Sequence, residues 1–143
     1  MSVALQNMRI LIAEDNKQSA KLIEMLLRDL GSKDVVMAHN GTEAWDYING
    51  ESDMISENSP RKRPFDLIIC DWNMPELTGF DLLKKIRREG FFMPFIMITG
   101  RGTVDSVINA TEAGVTEFLP KPFTPHQLTQ KIFTILDSKE THG

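Results

Sequence analysis

The sequence predicts an α/β fold in which five βα units build a doubly wound, five-stranded parallel sheet. Two observations carry this. Short apolar runs recur along the chain, and each is followed by a stretch whose apolar residues return every three or four positions. The composition, 41% apolar and 25% charged over 143 residues, supplies one ordinary core. A single domain over 1–143 is therefore expected, with its core at about 8–137.

Met8–Ala13 is a nearly unbroken apolar run ending in charge, as expected of a strand covered on both faces. Asn16–Leu30 repeats Ala20, Ile23, Leu27 and Leu30 at helical spacing and stops at Gly31. Val35–Ala38 is the second strand. Asn40-Gly41 marks a turn into a short helix, Thr42–Ile48, with Ala44, Trp45 and Ile48 on one side and Asn49-Gly50 as its predicted end. Residues 51–64 are polar, proline-bearing and aperiodic, which predicts a long surface loop carrying Arg61-Lys62-Arg63. Phe65–Cys70 and Phe95–Ile98 are strands three and four, separated by a helix over Leu77–Arg88 that Gly90 closes. A helix over Thr103–Ala113, a strand over Val115–Leu119 and a last helix over Pro125–Leu136 complete the pattern. Strands alternating with helices of this length pair in parallel through right-handed crossovers.

The charge balance and apolar pattern exclude several function classes. Sixteen basic against twenty acidic side chains leave a net charge of −4, so no general attraction to nucleic acid is expected. No apolar run reaches the ~18 residues of a membrane helix, and the start lacks the features of a secretory signal, so a cytoplasmic protein is expected. Cys70 is the lone cysteine and sits in an apolar run, which reads as a small buried hydrophobe. His39, His126 and His142 lack metal-ligand spacing, and there is no GxxxxGK[ST] loop for a nucleotide.

In such a sheet ligands bind outside the carboxyl ends of the strands. There the sequence places Glu14-Asp15, Asp71, Thr99-Gly100 and Lys121. Singly, each of these is more often a helix cap or a surface group; their joint occurrence at one rim is what points to chemistry. Three carboxylates in one cleft need a cation, and an all-oxygen shell with few protein ligands points to Mg²⁺. Lys121 suits one oxygen of a phosphoryl group and Thr99 can donate to another. Asp71, from a central strand, is the best candidate for a covalent phosphoryl acceptor.

The pieces Ile12-Ala13-Glu14-Asp15-Asn16, Asp71-Trp72-Asn73-Met74-Pro75 with Gly79, Thr99-Gly100 and Phe118-Leu119-Pro120-Lys121-Pro122-Phe123 together resemble the receiver domains of two-component response regulators, particularly the stand-alone chemotaxis type. The resemblance spans about Met8 to Leu136. It implies the flavodoxin-like form of the doubly wound fold and an Asp71 phosphoacceptor. It further implies Mg²⁺ held by Glu14, Asp15, Asp71 and the Asn73 carbonyl, with Thr99 and Lys121 on the phosphoryl oxygens. Phe118 stands where the family has its aromatic switch residue, and the Lys121-Pro122 bond is expected to be cis. Asn73 and Arg101 occupy positions that in the family tune acylphosphate lifetime. Asp15 and Asp71 lie 71 − 15 = 56 residues apart, longer than the family norm, with the excess in 51–64.

The resemblance implies a sensor histidine kinase or phosphotransfer protein as donor. It also implies a downstream protein target bound through the fourth helix, fifth strand and fifth helix, by a monomer or a phosphorylation-promoted dimer. Phe133, about 140° off the Leu128 stripe of the last helix, is a candidate exposed anchor on that face; packing at the helix margin is the competing reading. Alternatives of function are a phosphorelay intermediate or a phosphorylation-independent interaction module. A haloacid-dehalogenase-type phosphatase would need an acid two residues after the nucleophile, and Asn73 cannot protonate a leaving group, so no multiple-turnover enzyme is expected.

Overall fold

The computed structural model describes residues 5–53, 63–100 and 102–142. Leu67–Asp71 and Phe95–Thr99 form strands β3 and β4, and every residue of both is buried, the pattern of strands covered on two faces. Around them run β1 (Arg9–Ala13), α1 (Lys17–Asp29), β2 (Asp34–Ala38), α2 (Gly41–Asp53), α3 (Gly79–Arg88), α4 (Val104–Ala113), β5 (Glu117–Pro120) and α5 (Pro125–His142). All pairings are parallel and the sheet order is β2-β1-β3-β4-β5. The chain winds outward from β1 to β2 and then crosses back to β3, so the order reverses between β1 and β3, where such sheets hold their ligands.

Alternate residues of each strand feed two cores. Ile10, Ile12, Leu67, Ile69, Ile96 and Ile98 pack with Ile23 and Leu27 of α1 and with Leu128, Ile132 and Ile135 of α5. Leu11, Ala13, Ile68, Cys70, Phe95 and Met97 pack with Ala44 and Ile48 of α2 and with Leu82, Leu83 and Ile86 of α3. Leu5, ahead of the first predicted strand, is fully buried in the former core. The helices start where side chains replace missing backbone acceptors: Asn16, Thr78 and Thr103 accept from the amides of Ser19, Asp81 and Ser106. Among the described residues no helix is long and apolar enough to cross a membrane.

Several predicted boundaries shift, among them strand three, expected over Phe65–Cys70 and found at Leu67–Asp71. The helix expected to end at Asn49-Gly50 continues to Asp53, so the first three residues of the predicted 51–64 loop are helical. Gly31, Gly90 and Gly114 end helices with left-handed φ of 110°, 89° and 100°, whereas Gly50 keeps a helical backbone and costs only about 1 kcal/mol as an interior residue. Helix α3 begins at Gly79 rather than Leu77, because Thr78 is its cap. Strand β5 begins at Glu117 rather than Val115, since the Val115 amide still donates to Ala110 at the end of α4. Helix α5 runs past Leu136 to His142. Residues 54–62, with Arg61 and Lys62 of the basic cluster, and Arg101 lie outside the described residues.

Candidate functional site

The carboxyl ends of β1, β3, β4 and β5 deliver the predicted polar residues to one rim. Glu14 follows β1, its amide fixed to the Ala38 carbonyl at 3.0 Å, and only 2% of it is exposed. Asp15 follows on the solvent side. Asp71 and Thr99 are the last residues of β3 and β4 and both are buried. The Lys121 amide donates to the Thr99 carbonyl at 2.7 Å, and the Lys121-Pro122 peptide is cis, as expected. The lysine Nζ lies 3.2 Å from Asp71 Oδ2 and 3.4 Å from Glu14 Oε1.

One ammonium therefore faces two buried carboxylates, with a third beside them: single carboxylate oxygens of Glu14, Asp15 and Asp71 all lie within 4.8 Å of one another. The electrostatics show the strain of that arrangement. Burial, reinforced by the charge of Asp71, pushes Glu14 from 4.5 up to about 7 against the opposing pull of the Asn16 amide and Lys121. Burial alone would lower Lys121, but the charges of Asp71 and Glu14 outweigh it and the net shift is upward. A hard oxygen cluster short of positive charge fits a small divalent cation such as Mg²⁺, which takes few protein ligands and keeps several waters. Burial and the same two carboxylates push the Cys70 thiol far up, so it serves as core rather than as a nucleophile.

The loop between β3 and α3 is built as tightly as the strands. The Trp72 amide donates to the Ile98 carbonyl at 2.8 Å, and the Gly79 amide donates to the Trp72 carbonyl at 2.8 Å. Met74 is buried, Asn73 is exposed, and Glu76 takes a left-handed φ of 71°. Trp72 stacks on Phe80 with centroids 5.0 Å apart, and Lys84 Nζ sits 4.5 Å over the far ring. Sequence reading did not anticipate that stack, because nothing in the spacing of residues 72 and 80 signals it.

Of the remaining predicted residues, Phe118 is half-buried against the core under α2 and α3, its position on β5 paired with Met97 of β4. Phe133 is not the exposed aromatic entertained above. It is half-buried, packed against the core under α1 and α5 at the helix margin, and lines a groove with Leu119, Pro120 and Thr134.

Two buried carboxylates with a third beside them at the switch point of a β2-β1-β3-β4-β5 sheet, faced by a lysine whose bond to the following proline is cis, form the arrangement the receiver-domain resemblance calls for. The chain belongs to the response regulator receiver domain family, whose model matches residues 10–133. It is 36% identical to the chemotaxis protein CheY1 of Helicobacter pylori over 93% of this chain and 100% of that protein. It is also 36% identical to the CheY homologue of Campylobacter jejuni over 95% of this chain and 98% of that one. Among solved structures, the receiver domain of the histidine kinase CKI1 from Arabidopsis thaliana, complexed with Mg²⁺ and BeF₃⁻, superposes with a TM-score of 0.84. The two are 28% identical over 95% of this chain and 94% of that one. This is thus a response regulator receiver domain of the chemotaxis-like type.

Proposed function

We propose that the protein is a phosphorylation switch in which Asp71 takes a phosphoryl group from the phosphohistidine of a sensor kinase or phosphotransfer protein. The observation that carries this reading is the placement of buried Asp71, 3.2 Å from Lys121 Nζ and clustered with the oxygens of Glu14 and Asp15. In the transfer, the phosphorus–nitrogen bond of the donor breaks as a bond from an Asp71 oxygen to phosphorus forms, and the departing imidazole takes up a proton. Glu14, Asp15, Asp71 and the Asn73 carbonyl would hold Mg²⁺, which supplies charge neutralisation for the phosphoryl oxygens when bound. Lys121, already paired with Asp71, moves to a phosphoryl oxygen, and Thr99 donates to another. Hydrolysis reverses the state: water attacks phosphorus, the acyl-phosphate bond breaks, and Asp71 recovers its carboxylate.

Asn73 is exposed and carries no acidic proton, which favours a single acceptor event over turnover on an external substrate. The similarity to chemotaxis proteins supports reading it as a cytoplasmic signalling protein. The signal leaves by protein contact through α4, β5 and α5, with Thr99 and Phe118, on paired strands, as the local coupling between phosphate and that face. Intact mass after brief incubation with a small acyl phosphate tests the reading. A single Mg²⁺-dependent phosphoryl adduct is expected on wild type and none on Asp71→Asn. A folded wild type that binds Mg²⁺ and shows no adduct, either with the acyl phosphate or with a phosphorylated donor histidine, overturns it.

A further inference from the structure

Two glycines outside the acid–lysine set touch the loop that carries Asp71 and Asn73, and neither is glycine for the sake of its backbone. Gly41 and Gly79 open α2 and α3 and are not among the residues with left-handed φ. What they share is lack of room. A Cβ built on Gly41 would lie 2.0 Å from the Leu77 carbonyl oxygen and 2.7 Å from Leu77 Cβ. A Cβ on Gly79 would lie 2.2 Å from the carbonyl oxygen of Asp71 itself and 3.0 Å from its carbonyl carbon. The obstructing atoms are chiefly backbone, so no rotamer change relieves either contact.

We propose that Gly41 is a positioning residue for the phosphoacceptor loop: α2 closes onto the Leu77 backbone from outside while Gly79 seats the Asp71 carbonyl from within. The inference rests on the reading of Asp71 given above. The loop is fixed at both ends by the Trp72-to-Ile98 and Gly79-to-Trp72 hydrogen bonds. Its far limb, Glu76 to Thr78, has its position set by how closely α2 approaches Leu77. Displacing that limb shifts the intervening Asn73 carbonyl, and a small octahedral cation tolerates little error in ligand position. Gly41 thereby acts on Mg²⁺ affinity from another helix, through Leu77.

Gly50 supplies the control, since it lies on the same helix and a Cβ there meets nothing within 4 Å. Mg²⁺ affinity by calorimetry, adduct formation and the urea midpoint are measured on wild type, Gly41→Ala and Gly50→Ala. Gly41→Ala is expected to weaken Mg²⁺ binding by roughly 10–100-fold, the range for removing a residue that orients metal ligands, and to slow adduct formation. Gly50→Ala leaves both unchanged. Leu77→Gly keeps the carbonyl but removes the Leu77 Cβ and frees the backbone there, so the limb is no longer held in place against α2; it is expected to weaken Mg²⁺ binding in the same direction, which keeps the test decisive if Gly41→Ala does not fold. Folded Gly41→Ala, or Leu77→Gly where the former is unfolded, with wild-type Mg²⁺ affinity overturns the inference, whatever its urea midpoint. A wild type that neither binds Mg²⁺ nor forms the adduct instead defeats the reading on which the inference stands.

Discussion

Helices α3 and α4 lie side by side on one face of the sheet, are ten residues long and begin at threonine caps, yet they are docked very differently. Helix α3 buries Gly79, Leu82, Leu83 and Ile86, and its first turn is sewn to the Asp71 loop. Helix α4 buries only Ala110 and leaves Val104 74% and Ile108 48% exposed. Its C-terminal end is tethered by a side chain of its neighbour: Arg87 Nε donates to the Gly114 carbonyl at 3.0 Å while Nη1 donates to the Phe91 carbonyl at 2.8 Å. The difference teaches where rigidity is spent. The helix whose first turn seats the Asp71 carbonyl is packed as core, and the helix beside it, on the side proposed to signal, buries far less of itself.

The contrast breaks most directly in α3. Leu82→Ala removes a fully buried side chain from the core under α2 and α3 and is expected to cost ~2–5 kcal/mol in urea unfolding. A loss below about 1 kcal/mol would show that α3 is docked no better than its neighbour.

The acid site sharpens the contrast through pH. Glu14 titrates near 7 in the fold against 4.5 ordinarily, so between those values the native state holds a proton that the unfolded chain has released. Its contribution to stability without metal is therefore fully present below about 4.5 and declines as pH rises toward 7. Mg²⁺ must displace that proton, so affinity is expected to fall as pH drops below about 7, by up to about tenfold per unit or ~1.4 kcal/mol. Calorimetry across about pH 5.5 to 8 checks this, with proton release on binding as the signature; Glu14→Gln is expected to abolish the release.

Arg87→Met keeps the stem of the side chain but removes both hydrogen bonds from the tether. The loss is expected to be about 1 kcal/mol, with faster amide exchange at the end of α4 and no change in α1. Equal exchange in wild type and Arg87→Met would remove the tether from the account of α4.

Much of this was legible because it is local. Parallel strands announce themselves as apolar runs, and topology carries whatever follows each run to one rim, so Glu14, Asp15, Asp71, Thr99 and Lys121 could be gathered without coordinates. What escaped was set by contacts between distant segments. Gly50 reads as a stop, but Ala44 and Ile48 are both buried and hold α2 down against the core, and the helix runs through it. The helical wheel leaves Phe133 open between an exposed anchor and a residue packed at the helix margin, and only its contact with the core decides for the margin. Gly41 reads as half of an Asn-Gly turn, and only the approach of Leu77, from 36 positions away (77 − 41), shows that it is there for space.

The smallest effect is the most discriminating one. Ile108→Ala removes a large apolar side chain that α4 leaves 48% exposed, so urea unfolding is expected to move by no more than about 0.5 kcal/mol. If Val104, Val107 and Ile108 are exposed because a partner covers them once Asp71 is phosphorylated, the same variant should leave adduct formation intact and weaken only the phosphorylation-dependent complex. A destabilisation comparable to Leu82→Ala would instead mean that α4 is a packed helix like α3, with nothing held back for a partner. Unchanged stability together with an unchanged complex would move the output surface away from α4 altogether.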